Sequence, residues 1–118
     1  MAVELETTFY KGNPPITTAA TLATVPQGYD WIIDSVIVVN ESSSTTDSLT
    51  LDVVSSGGTA GATTKLADAA VFGANAVTAL ASATQRLGIV MHEGDFVSGV
   101  QSNSANFNVF INGRARQH

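Results

Sequence analysis

The chain contains no cysteine, so it can form neither a disulfide framework nor a thiolate metal site, and its fold has to stand on packing. Charge is scarce as well. Charged residues are 13% of the 118, about half the usual share. Only five are basic against ten acidic, for a formal charge of −5. So few cations offer no phosphate-tracking patch, which argues against direct DNA or RNA binding. No apolar run approaches the ~18 residues of a membrane span, and Met1-Ala2-Val3-Glu4-Leu5-Glu6 is acidic where a signal peptide would be basic. The expectation is synthesis in the cytoplasm and no membrane. Without a secretory signal, Asn40-Glu41-Ser42 reads as the exit of a strand into a loop rather than a glycosylation site.

The residues of common catalytic chemistries are equally thin. The only histidines, His92 and His118, match no metal-binding spacing. His92-Glu93-Gly94-Asp95 offers three ligand types on one tight turn, but consecutive turn residues rarely converge on one ion. The stretch Ser56-Gly57-Gly58-Thr59-Ala60-Gly61 with Lys65 lacks the Gly-Lys-Ser/Thr of a phosphate loop. No Gly-x-Ser-x-Gly elbow exists, and Ser98-Gly99 falls inside an expected strand. Asp34 and Asp52 are the one conceivable carboxylate pair, on the outward faces of strands expected to neighbour each other; two solvated strand charges explain them more simply. The expectation is a protein that is not an enzyme and carries neither metal nor cofactor.

What is present is strand pattern. Asp30 to Asn40 places Trp31, Ile33, Ser35, Ile37 and Val39 on one face and Ile32, Asp34, Val36, Val38 and Asn40 on the other. Both faces are mostly apolar, so this strand is either central and covered twice or half reserved for another subunit. Ser48 to Val54 alternates more cleanly, with Leu49, Leu51 and Val53 inward and Ser48, Thr50 and Asp52 toward water. Arg86 to Met91 and Phe107 to Ile111 alternate likewise. His92 to Asp95 reads as the turn of a hairpin whose second strand is Phe96 to Gln101, and Thr18 to Val25 as a strand ended by Pro26-Gln27-Gly28. The alanine-rich stretch 60–85 suits a helix on propensity, but Gly73-Ala74-Asn75 and its threonines and valines favour short strands near Leu66 to Phe72 and Val77 to Ala81. The Ser, Thr and Gly runs at 41–47 and 55–64 read as mobile loops. Together these predict an all-β chain, a single-domain antiparallel β-sandwich of about eight strands, jelly-roll-like, over residues 17–118. Residues 1–16 form an N-terminal arm, set off by Gly12-Asn13-Pro14-Pro15, that packs on its own sheet or reaches to a neighbour's edge.

The candidate interface residues follow from apolar surface a lone sandwich cannot hide. They are Tyr10 on the arm, Trp31 and Ile33 on the two-faced strand, and Phe110, which lies opposite Phe107, Val109 and Ile111 where a polar residue is usual. Arg114 and Arg116 join them, as a basic tail able to pair across a contact or simply to be solvated. Tyr29 with Trp31 also suggests an aromatic stacking platform for a carbohydrate.

Leu22-Ala23-Thr24-Val25-Pro26-Gln27-Gly28, the strand Trp31 to Val39 ending in Asn40, Leu87-Gly88-Ile89-Val90-Met91-His92-Glu93-Gly94-Asp95 and Asn108-Val109-Phe110-Ile111-Asn112-Gly113 together resemble the small virion proteins of tailed bacteriophages. The resemblance covers roughly residues 20–113 and rests on turn and strand patterns. It implies a β-sandwich that works in the particle as a capsid decoration (cement) protein, or as a neck, adaptor or tail component. It further implies a homo-oligomer, typically a trimer, whose partners are its own copies and the major capsid protein, and whose place is the virion.

Overall fold

The computed structural model describes residues 3–16, 18–41, 47–61, 64–72, 77–79, 88–101 and 107–117. They contain nine strands: β1 (Val3–Gly12), β2 (Ala20–Thr24), β3 (Tyr29–Asn40), β4 (Asp47–Val54), β5 (Lys65–Phe72), β6 (Val77–Ala79), β7 (Ile89–Met91), β8 (Phe96–Gln101) and β9 (Phe107–Gln117). Sheet A runs β1-β9-β3, with β6 and β7 both on the far side of β3; sheet B runs β2-β8-β4-β5. β6 pairs with Ile37 to Val39 and β7 with Trp31 to Ile33, so the two short pieces share one position in sheet A. Counted that way, eight strand positions divide between two four-stranded antiparallel sheets in the order of a jelly roll, an arrangement that closes a core with few open edges. The expected β-sandwich is the observed fold.

The core forms where the alternating apolar positions of the two sheets meet. Ile33, Val36, Val38, Phe107, Val109 and Ile111 of sheet A pack against Leu49, Leu51 and Val97 of sheet B, all with no exposed surface. Each such side chain contributes about 1.5–3 kcal/mol through burial.

Strict alternation fails in β3. Trp31 and Ile33 face the core, but so do Val36 and Val38, because a bulge between Ile33 and Ser35 inserts one residue and reverses the parity. The faces expected from a regular strand are therefore correct up to Ile33 and exchanged beyond it, and the strand is central in its sheet.

Three further expectations are corrected. β7 and β8 do not pair as a hairpin: the turn His92 to Asp95 carries the chain from sheet A to sheet B, where β8 lies between β2 and β4. Turn residues specify that a chain reverses, not which neighbour it then joins. Asp52 does not meet water; it is 2% exposed and accepts a hydrogen bond from Thr64 Oγ1 at 2.7 Å, while Val53 N–H donates to the Thr64 carbonyl. The loop folds back over its own strand. Asp34 and Asp52 are not neighbours either, since β3 and β4 belong to different sheets. Within 55–64, Gly58 N–H bonds Ser55 O and Thr64 N–H bonds Gly61 O. The segments 42–46, 73–76 and 80–87, with the loop and strand ends expected there, lie outside the described residues.

Candidate interaction surface

Side chains of β9 alternate, and those turned away from the core build the outer face of sheet A. The register sets them in rows: Asn108 beside Val39; Phe110 between Ile37 and Lys11; Asn112 between Ser35 and Thr8; Arg114 between Ile32 and Glu6; Arg116 between Asp30 and Glu4. The face thus divides into an apolar half around Phe110 and a charged half around Arg114.

The charged half is held within the chain. Arg114 donates to both carboxylate oxygens of Asp34, from Nε at 2.8 Å and Nη2 at 3.1 Å, and from Nη1 to Glu4 Oε1 at 3.1 Å. Arg116 reaches Glu4 Oε2 at 3.2 Å. Planar guanidinium groups suit such forked contacts. Asp34 sits in the β3 bulge, so the extra residue that reverses the strand's parity also supplies this carboxylate. Farther along, His92 Nδ1 lies 3.1 Å from Asp30 Oδ1. The residues expected to form a basic tail are strand residues instead, because β9 continues to Gln117.

Hydrogen bonds from Arg114 first and Arg116 second hold the Glu4 carboxyl below its usual value of 4.5. A carboxyl lowered by folding stabilises the fold above its unfolded value and loses that contribution as pH falls through its folded value. The β1 end of the ladder should therefore loosen only below about pH 4.5. A carbon-detected titration is expected to place Glu4 below 4.5, and Arg114→Gln to move it back up; an ordinary midpoint in the wild type would mean the bridge is not populated in solution.

The apolar half is open. Phe110, Ile37 and Val39 are partly exposed; Val90, 55% exposed, lies apart from them, beside Ile32 in the Arg114 row. The other candidates are placed differently. Ile33 is wholly inside the core, and Trp31, 9% exposed, stacks on Phe9 with ring centroids 4.2 Å apart and 14° between planes. A buried indole stacked on a ring of its own chain presents no platform for a sugar. Tyr29 and Tyr10 pack partly buried against the core, and burial pushes the Tyr10 phenol up. Phe110 thus shares the outer face with Arg114 and Arg116, while Tyr10, Trp31 and Ile33 lie on the core side. Reading the sequence missed Glu4, Lys11 and Val90, and considered Asp34 only with Asp52. A signal for the ladder exists: Glu4 and Glu6 repeat at the same two-residue spacing as Arg114 and Arg116, which suits facing strands.

The turn that offered metal ligands spends them on backbone. Asp95 accepts from His92 N–H at 2.8 Å and Ser56 N–H at 2.9 Å, and Glu93 accepts from Gly28 N–H at 3.1 Å. Among the described residues, no group of three or more His, Asp or Glu side chains is placed to hold an ion.

No protein-family profile matches the sequence, and no curated protein matches it either. The fold does find counterparts. A chain of the T13 viral particle of infectious bursal disease virus aligns with a TM-score of 0.57 at 10% identity, over 99% of this chain and 31% of that one. A pilus protein of Bacillus endospore appendages aligns at 0.47 and 18% identity, over 99% of this chain and 84% of that one. A chain of the cyanophage Pam1 capsid aligns at 0.43 and 19%, over 100% and 84% respectively. At these identities the likeness is one of fold, and the chain spans about a third of the length of its bursal disease virus counterpart.

Proposed function

We propose that this chain is a structural protein of a virus particle, most specifically a decoration protein that self-associates, as a trimer, and seats on the head shell of a tailed phage. The observation that carries the reading is the partly exposed apolar group of Phe110, Ile37 and Val39 on the outer face of sheet A, with the polar Asn112 row and the ion pairs of Arg114 beyond it. Contiguous apolar surface rimmed by polar groups is what a protein contact uses. The fold it shares with a segment of a viral particle protein supports the same reading. So does the resemblance to small phage virion proteins. On this reading the chain is not an enzyme and carries no cofactor, its net charge of −5 keeps it off packaged DNA, and many weak contacts gain strength together through multivalency.

The test pairs stoichiometry with a single substitution. Hundreds of copies per purified particle are expected for decoration, whereas about six to a dozen would favour a neck or tail component. Phe110→Asp, which changes a partly exposed side chain, should leave the melting temperature close to wild type. It should weaken self-association and shell binding about 30-fold, the effect of a residue contributing about 2 kcal/mol at an interface. A chain that sediments as monomer both alone and with undecorated shells would end this reading.

A further inference from the structure

β1 is attached to the sandwich in an unusual way. At its C-terminal end the next residues are fastened to the body. Asn13 Nδ2 donates to the Phe107 carbonyl and to Asn108 Oδ1, Gln101 Nε2 donates to the Pro14 carbonyl, and Gln101 N–H donates to the Pro15 carbonyl at 2.9 Å. Ile16 then bridges to Gln101. Pro14 and Pro15, with fixed φ and no N–H, keep this anchor extended.

Beyond the anchor, β1 is an edge strand whose only ladder among the described residues is with β9. Glu4 through Thr8 are all exposed, and Phe9 and Tyr10 pack on the core. Leu5 sits on the core-side row with Ala115 and Trp31 yet is 61% exposed. The strand is therefore held mainly by backbone bonds, two aromatic side chains and the bridges from Glu4.

All of those contacts are with β9 or with the core beside it, so an identical strand from another copy would make them equally well. We propose that β1 is exchangeable: in the assembled protein, residues 3–12 of one copy lie on β9 of a second copy, with the pivot at Gly12–Asn13 just ahead of the proline anchor. The reach suffices. Ten extended residues span about 33 Å, all of it used in the ladder, so exchange sets the second copy's β9 directly beside the pivot with no spacer to bridge. Exchange of an identical element costs little because no contact type is lost, and the new junction between copies can cover Leu5. This inference does not depend on the virus-particle reading; it concerns how copies join, wherever the assembly works.

Two experiments read it. Because the chain has no cysteine, Thr8→Cys and Asn112→Cys can be placed in separate chains; the two residues are register partners whose side chains meet at 2.8 Å. After co-refolding, assembly and oxidation, peptide mapping is expected to find 8–112 links between chains in the oligomer. The double variant in one chain should close an internal link in the monomer, showing that the pair fits. Oligomers with 8–8 or 112–112 links only, or no oligomer, would overturn the proposal while leaving other self-association through Phe110 intact.

The second experiment changes only exposed or partly exposed side chains. Glu4→Arg and Arg114→Glu each set like charges against one another across β1 and β9 within a closed chain. Exchange in a mixture restores the attraction between positions 4 and 114 at both junctions, while the Arg114→Glu chain loses its contact with Asp34 in either arrangement. Mixing should then produce a one-to-one species at a concentration about tenfold below that at which either variant associates alone. Two variants that ignore each other would count against exchange as decisively as the missing link.

Discussion

Gly113→Ala is expected to remove a large part of the protein's stability. A Cβ at this position would fall far inside the contact distance of the Ile32 carbonyl oxygen and 2.9 Å from both the Ile32 carbonyl carbon and Phe9 Cε2. The obstacle is backbone of the paired central strand, next to the β3 bulge, and it cannot rotate away as a side chain tip would. Overpacking in a core costs about 1–3 kcal/mol when side chains can yield. A backbone clash between two core strands belongs at the upper end or beyond it, about 3–5 kcal/mol of a total near 5–15. For a chain of this size that is a fall in melting temperature of ~15 °C or more. Gly57→Ala is the comparison. Gly57 has φ of +75° but nothing within 4 Å of the added atom, so about 1–2 kcal/mol is expected from backbone conformation alone. Thermal melts showing equal losses for the two variants would mean that β3 and β9 separate readily, and the packing argument would fail.

The second large effect is expected at Gln101. Its side chain is 2% exposed, accepts from Phe107 N–H at 3.1 Å and donates to the Pro14 carbonyl, so one amide ties β8 to β9 and to the anchor after β1. Gln101→Leu fills much the same volume with no polar atom. It takes a hydrogen bond away from a buried N–H and from a buried carbonyl, at about 1–3 kcal/mol each. A loss of about 2–4 kcal/mol is expected from urea unfolding, with the midpoint lowered and the slope unchanged. If the loss is a few tenths of a kcal/mol, water reaches both groups and the amide is not a tie. The same variant should loosen the anchor of β1, so it also bears on strand exchange.

The fold was legible wherever local pattern and long-range pairing agree. Phe107, Val109 and Ile111 alternate with polar neighbours and lie in the core, and Leu49 and Leu51 do the same from the other sheet. Strand rather than helix is right for the described parts of 60–85, since β5 and β6 are strands. Β-Branched and turn residues describe their own backbone, and that information is local.

The candidate surface was legible only in part. Phe110 stands out because an apolar residue breaks an otherwise clean alternation. The role of Asp34 could not be assigned, since its contact depends on a bulge at its own position and on Arg114, 80 residues away in sequence. Trp31 looked available because both faces of its strand are apolar, but only the partner sheet and Phe9 show which face is covered.

Composition and alternation sufficed to establish an all-β chain held by packing, free of cysteine and with a net charge of −5. Pairing did the remainder: it sent β7 and β8 to different sheets, separated Asp34 from Asp52, and made two C-terminal arginines into the middle of a ladder. The physical reason is that side-chain periodicity is a property of one strand, whereas neighbours, bulges and ion pairs arise from free energies shared between strands far apart in the chain.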